Sequence, residues 1–325
     1  MKSKFLLSFV TLLFGLMTIA GGVSAQTVTY QPSLAHKNGA MAYEHMKYLA
    51  YEIGQRVAGT EKERLAEQYI KSQFERIGLQ TAVQEFTYTR SGKQVSSSNV
   101  IAYKPGKSTK QIIVGAHYDS VSKGLGVDDN ASGVGVLLET AEVLKNINTP
   151  YSILFIAFGA EETGLRGSNY YANHMTSNEI ANTVGMINLD SLAVGDKMYV
   201  YGDEGEAGFI RNQALEIVKK KKLNVETNPG VNADYPAGTT GDWSDHAPFK
   251  AKGIPYGYLE ATNWEIGDLD GYTQTVDHGE VWHTTKDTLE FIENAYPGRI
   301  KEHLSTFSIL LTDILKFMDK TSTSK

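Results

Sequence analysis

Hydrophobic residues along the first third of the chain follow two different spacings. They recur every three or four positions over residues 41–56 and 61–77, which predicts two amphipathic helices. They alternate with polar residues over 81–88 and 99–103, which predicts two strands joined by a polar turn. The folded part of the chain is therefore expected to begin with two helices and two strands.

The centre of the chain is more regular, because continuous apolar runs alternate there with helical segments. The apolar runs predict buried strands at 111–116, 151–158, 184–189 and 254–260. Helical spacing predicts helices at 131–144, 167–174, 207–222 and 298–318. Strands that alternate with helices are typical of a parallel sheet covered on both faces. The predicted fold class is α/β, a single three-layer domain with a mostly parallel central mixed sheet.

The N-terminal residues have the pattern of an export signal. Lys2 and Lys4 precede an apolar stretch that ends in small residues at 23–25, a typical cleavage site. The alternative, an uncleaved membrane anchor, is disfavoured because the apolar run is short and no basic cluster follows it. We therefore expect an exported protein, periplasmic or secreted, with a signal peptide over 1–25, an N-terminal arm over 26–40 and a catalytic domain over 41–320.

Composition narrows the classes of partner. Loss of Lys2 and Lys4 with the signal peptide changes the formal net charge from −6 to −8. An acidic surface disfavours nucleic acid and anionic membranes as partners. The sequence contains no cysteine, so any metal site must use histidine and carboxylate ligands. We expect a monomer that binds no nucleic acid and has no stable membrane insertion after signal cleavage.

Charged and polar residues gather directly after the predicted buried strands. The candidates are His117, Asp119, Asp129, Glu161, Glu162, Asp190 and the more distant His283. Because the carboxyl ends of parallel strands meet at one crevice, these side chains are expected to converge. Buried carboxylates without partners are costly, so such a cluster calls for a cation.

Two imidazoles and several carboxylates suit a pair of zinc ions, although cobalt or manganese could occupy the same ligands. One of the adjacent Glu161 and Glu162 can bind metal while the other acts as general base. Asp119 and Asp287 lie close in sequence to the two histidines, so each carboxylate could accept an imidazole N–H. Each piece alone has an ordinary structural explanation, such as a helix N-cap at Asp129. Only the combination of these residues favours a catalytic metal site.

These motifs resemble the co-catalytic zinc aminopeptidase family of peptidase clan MH, over about residues 54–288. The resemblance rests on Asp129 in its loop and on three segments, at 56–60, 161–168 and 244–249. Within the family, the chain resembles the small exported bacterial type linked to alkaline phosphatase isozyme conversion. No domain-sized insertion interrupts the predicted elements, so the protease-associated domain of many relatives is missing.

The resemblance implies hydrolysis of N-terminal residues from peptides or proteins through a hydroxide that bridges two zinc ions. It assigns Glu161 as general base and Asp129 as the carboxylate shared by both ions. Asp119 is assigned to the catalytic site beside Glu161, as a carboxylate next to the ligand His117. The implied metal ligands are His117, Asp129, Glu162, Asp190 and His283.

One position departs from the family pattern and keeps other functions open. Several members carry a tyrosine before the last histidine, where this chain has Trp282, so the group that polarises the substrate carbonyl is unassigned. A glutaminyl cyclase-like acyltransferase with one zinc is therefore the first alternative. A dipeptidase or carboxypeptidase on the same fold is the second. A non-catalytic binding module would have lost a ligand or the base, whereas all six positions are present.

Overall fold

The structure, a computed structural model, describes residues 38–318 of the chain. The predicted signal peptide and residues 26–37 of the predicted arm lie outside the described residues. Within the remainder of that arm, the Gly39 backbone N–H donates to the Glu139 carboxylate at 2.6 Å. The chain is therefore already anchored where its first helix begins.

A seven-stranded mixed sheet runs through the described residues. Its strands are β1 (Gln80–Arg90), β2 (Lys93–Lys104), β3 (Ser108–His117), β4 (Tyr151–Phe158), β5 (Thr183–Leu189), β6 (Lys197–Gly202) and β7 (Tyr256–Thr262). Their spatial order is β1-β2-β4-β3-β5-β7-β6. The four central strands β4, β3, β5 and β7 are parallel, and the outer strands pair antiparallel. This arrangement confirms the predicted α/β class with a parallel centre.

Helices cover both faces of the sheet. They are α1 (Ala40–Lys47), α2 (Glu61–Arg76), α3 (Gly133–Leu144), α4 (Arg166–His174), α5 (Ser177–Asn182), α6 (Phe209–Lys221), α7 (Ala247–Lys250), α8 (Leu289–Ala295) and α9 (Arg299–Phe317). Ile112 and Val114 of β3 face a large core that includes α1, α2, α3, α6 and α9. Ile113, between them, faces a smaller core with α4 and α7. Alternate side chains of a strand point to opposite faces, so β3 is buried on both sides.

Some elements differ from the sequence-based expectations. The predicted helix at 131–144 begins only at Gly133, because Val127–Ser132 forms a π-type turn. Asp129 there has φ −109° and ψ 92°, outside the helical range. Strand β6 and helices α5, α7 and α8 were not predicted. Over residues 38–318, no helix is long and apolar enough to cross a membrane.

Candidate metal centre

Three neighbouring strands bring candidate ligands to one edge of the sheet. His117 is the last residue of β3, and Asp190 directly follows β5, the parallel neighbour of β3. On the other side of β3, strand β4 leads into the short turn Glu161–Thr163. The predicted convergence of these segments is therefore present in the structure.

The inner cluster consists of His117, Asp129 and Asp190. The Nε2 atom of His117 lies 3.1 Å from Asp129 Oδ1 and 3.3 Å from Asp190 Oδ1. All three residues are buried. The cluster therefore offers one imidazole nitrogen and two carboxylate oxygens from buried residues.

The outer cluster consists of Asp129, Glu162 and His283. The Nε2 atom of His283 lies 3.0 Å from Asp129 Oδ2 and 3.0 Å from Glu162 Oε2. The His283 side chain is 48% exposed. Asp129 belongs to both clusters, because each of its oxygens faces a different histidine.

The donor set fits zinc in both clusters. Ligand atoms of His117, Asp129 and Glu162 lie within 4.8 Å of one another, and the same holds for His117, Glu161 and Asp190. Imidazole nitrogen and carboxylate oxygen are normal zinc donors. The carboxylate between two histidines has the arrangement required to join two cations. Glu161 lies beside the inner cluster, close enough to act on a molecule bound there.

Asp119 fixes the turn that carries both glutamates. Its carboxylate accepts the backbone N–H of Glu161 at 2.9 Å and that of Glu162 at 3.2 Å. Asp119 Oδ1 is 3.5 Å from His117 Nδ1, whereas the backbone carbonyl of Asp119 is 3.2 Å from the same nitrogen. Asp119 thus orients His117 partly through its main chain, and its side chain bonds chiefly to the Glu161–Glu162 backbone.

Asp287 does not serve His283, so that prediction is wrong. Its Oδ1 accepts the backbone N–H of Asp128 at 2.7 Å, and its Oδ2 accepts that of Asp129 at 3.2 Å. Both oxygens are therefore occupied by the loop that presents Asp129. Asp287 is buried beneath this loop, whereas the ring of His283 faces the opening.

A buried arginine holds the same loop from another side. Arg56 donates to the carbonyl oxygens of Tyr118, Leu125 and Gly126 at 2.8, 2.9 and 2.8 Å. Tyr118 directly follows His117, and Gly126 precedes the turn that contains Asp129. The segment at 56–60 therefore contributes to the site through Arg56, without direct contact with the clusters.

Two further donors, both missed from the sequence, orient the terminal carboxylates. The Ser244 hydroxyl donates to Asp190 Oδ2 at 2.7 Å and accepts from the Asn188 amide at 2.8 Å. The Val121 backbone N–H donates to Glu162 Oε1 at 3.1 Å. Each carboxylate thus has one oxygen held by the protein and the other directed into its cluster. The motif at 244–249 marked Ser244, but nothing in the sequence marked Val121.

Burial and mutual repulsion dominate the electrostatics of the centre. Burial raises the pKa of Glu161 well above its usual value and raises that of Glu162 to about 7. Burial also opposes the charge on Asp129, but hydrogen bonds from His117 and His283 outweigh it and lower the pKa of Asp129. Hydrogen bonds to Asp129 and Glu162 raise the pKa of His283 to about 11. Without metal, protonated histidines therefore supply the positive charge that the carboxylates require.

A cavity of about 570 Å³ opens onto both clusters. Its walls are aromatic, with Tyr235 and Trp243 packed edge to face at 5.5 Å, and Tyr272 and Trp282 at 5.6 Å. A larger cavity of about 700 Å³ lies between α2 and the β1–β2 hairpin, but no cluster residue lines it. The chemistry therefore belongs to the smaller cavity.

Similarity to known proteins agrees with this geometry. The profile of Peptidase family M28 matches residues 99–308. The alkaline phosphatase isozyme conversion protein of Escherichia coli (strain K12) is 36% identical over 319 residues, covering 88% of this chain and 92% of that protein. A solved zinc aminopeptidase from Bacillus subtilis has a TM-score of 0.70 at 19% identity, covering 88% and 99% of the two chains. A glutaminyl cyclase from Fimbriiglobus ruber has a TM-score of 0.66 at 19% identity, covering 87% and 96%. Both solved structures share the fold of this chain.

Proposed function

Because this chain belongs to peptidase family M28, we propose that it is an exported zinc aminopeptidase that removes residues from the N-termini of peptides or proteins. The observation that carries the proposal is the position of Asp129 between His117 and His283, with one oxygen toward each. This arrangement supports two zinc ions per chain. The ligands would be His117, Asp129 and Asp190 in the inner cluster, and Asp129, Glu162 and His283 in the outer cluster.

Bound zinc supplies a water of lowered pKa and polarises the scissile carbonyl. Glu161 is the general base in the proposal, because one of its carboxylate oxygens lies within 4.8 Å of ligand atoms of His117 and Asp190, whereas the Glu162 carboxylate faces His283. A base in this position takes a proton from the attacking water and returns it to the leaving amine. Asp119 holds Glu161 in place through the Glu161 backbone N–H. Burial raises the pKa of the Glu161 carboxyl above its usual value, which makes it a stronger base than an exposed glutamate.

Export and monomeric state complete the proposal. The basic and apolar pattern of residues 1–25 supports export to the periplasm or the medium. The similarity to the Escherichia coli isozyme conversion protein extends over most of both chains. It supports the resemblance to the exported bacterial type of aminopeptidase.

A panel of free and N-acetylated aminoacyl substrates, assayed with and without chelator, tests the proposal. We expect hydrolysis of the free amines, loss of activity with chelator, and recovery with zinc. Acetylated substrates should not be cleaved, because an aminopeptidase requires the free amine. Equal cleavage of acetylated and free substrates would exclude aminopeptidase activity.

A glutaminyl cyclase-like activity is the second candidate, favoured by Trp282 in the cavity wall and by the fold shared with the Fimbriiglobus ruber enzyme. The complete inner cluster argues for two ions and hydrolysis instead. Zinc analysis and product analysis on glutaminyl peptides separate the candidates. One zinc per chain, with ammonia released and no free amino acid, would support the cyclase.

A further inference from the structure

Gln274 is a buried residue in the long segment between β7 and His283. Its Oε1 accepts the backbone N–H groups of Val281 and Trp282, both at 2.9 Å. Trp282 directly precedes His283, the exposed ligand of the outer cluster. One amide oxygen therefore fixes the two residues that lead into this ligand.

The other end of the same amide reaches the loop of the shared carboxylate. Gln274 Nε2 donates to Asp128 Oδ2 at 2.6 Å. Asp128 Oδ1 in turn accepts the backbone N–H groups of Ala193 and Val194 at 2.7 and 3.1 Å. Asp128 directly precedes Asp129, so a single side chain connects two of the three segments that provide the outer ligands, those of Asp129 and His283.

His283 depends on such a connection more than His117 does. Metal-binding histidines usually donate their second ring N–H to a protein group, which fixes the ring. His117 has the Asp119 carbonyl for this purpose, whereas no hydrogen bond to His283 Nδ1 occurs within residues 38–318. His283 also has a positive φ of 57°, a conformation that L-residues adopt only when their surroundings enforce it. Its position is therefore set by the backbone that Gln274 holds.

We propose that Gln274 is a positioning residue for the outer metal ligands, and that it fixes the distance between His283 and Asp129. This inference rests on the proposed two-zinc function. Gln274 touches neither cluster. Its two bonds to the backbone before His283 act on the outer site alone, whereas its bond to Asp128 reaches the shared Asp129. The outer ion should therefore lose more affinity than the inner ion. Loss of its contacts would leave two buried N–H groups without an acceptor.

Zinc titration of Gln274→Leu against a competing chelator tests the inference. The second, weaker zinc affinity should fall roughly 10- to 100-fold, as for other residues that orient metal ligands. The first affinity should fall by a smaller factor, because His117 and Asp190 are untouched and Asp287 still holds the backbone of Asp129. His283→Ala serves as the reference for selective loss of the outer ion. Two unchanged affinities, or two affinities that fall by the same factor, would overturn the inference.

Gln274→Glu keeps the test decisive where Gln274→Leu does not fold. An ionised carboxylate can still accept the N–H groups of Val281 and Trp282, but it cannot donate to Asp128 and repels the Asp128 carboxylate. We expect selective weakening of the second zinc here too. Both affinities unchanged in this variant would show that the link to Asp128 has no role in metal binding and would overturn the inference.

Gln111→Leu is the control, because Gln111 donates an amide hydrogen bond to the Thr183 hydroxyl at 3.1 Å, near the end of β3 opposite His117. Its two zinc affinities should equal those of the unsubstituted chain. Failure of the proposed function has a different signature. In that case the unsubstituted protein itself would bind fewer than two zinc ions or release no amino acids.

Discussion

The inner and outer clusters contain the same types of ligand but are held by different parts of the fold. His117 and Asp190 lie at the ends of adjacent parallel strands and are buried. His283 lies on a loop, with 48% of its side chain exposed. His117 and Asp190 also have a protein partner on their remaining polar atom, whereas the outer histidine is fixed through its backbone.

Two clusters with the same types of ligand therefore need not be equivalent metal sites. Strand ends in a central sheet change little in position, because packing fixes them on both faces. A ligand on a loop can be displaced with a smaller cost in free energy. We therefore expect the inner site to retain metal more firmly than the outer site, and four predictions test this comparison.

Substitution of the shared carboxylate should have the largest effect, because it removes the distinction between the sites. Asp129→Ala deletes an oxygen from both clusters, so both zinc ions should be lost. Activity should fall to the level of the chelator-treated enzyme. Metal content after gel filtration checks the prediction, and a variant that retains one firmly bound zinc would mean that Asp129 is not shared.

Removal of the base should separate catalysis from metal binding. Glu161→Gln should lower turnover roughly 10²- to 10⁴-fold, the usual contribution of a general base. Both zinc ions should remain, because Glu161 is not assigned as a ligand. Steady-state kinetics beside metal analysis measures the two quantities. If zinc were lost together with turnover, Glu161 would be a ligand of the inner cluster.

Loss of one hydroxyl should affect the inner site alone. Ser244→Ala frees Asp190 Oδ2, so the affinity for the inner zinc should fall roughly 10- to 100-fold. Ser308→Ala is a matched control, because Ser308 is equally buried and its hydroxyl has no hydrogen-bond partner. Competition with a chelator measures the zinc affinities of both variants. Weakening of the outer zinc instead would reverse the assignment of the two sites.

Proton competition should have the smallest effect and should be visible at the outer site. The pKa of His283 is raised to about 11, so its imidazole is protonated at neutral pH without metal, and zinc must displace this proton. Zinc affinity should therefore rise by about tenfold between about pH 7 and 8 for each proton displaced, at the lower end of the effect expected for Ser244→Ala. His283→Ala should remove this contribution. Zinc affinity that does not vary with pH would contradict the prediction.

The ends of the buried strands could be predicted because the hydrophobic pattern itself marks them. His117, Glu161 and Asp190 each stand where an apolar run stops, and a parallel sheet brings such ends together. The resemblance to the aminopeptidase family then gave each residue a role. The α/β class with a mostly parallel central sheet followed from the same alternation of runs and helices.

The residues that orient the ligands could not be predicted in this way. Asp287 and Gln274 act on backbone N–H groups, which leave no trace in the side-chain pattern. Strand β6 was missed because its tyrosines are buried against residues that lie far away in the sequence. The hydroxyl of Tyr201 donates to Glu260 of β7 at 2.8 Å. Such partners become visible only when the chain is folded.

With two zinc ions bound as proposed, the shared position of Asp129 would also determine how the protein responds to the amount of zinc available. The first ion would neutralise part of the charge that attracts the second, so each ion would lower the affinity for the other by the same factor. Loading should then proceed in two separate steps as free zinc increases. A half-loaded form would be abundant over a range of zinc concentrations, and enzyme output would follow zinc supply gradually instead of switching on at a threshold.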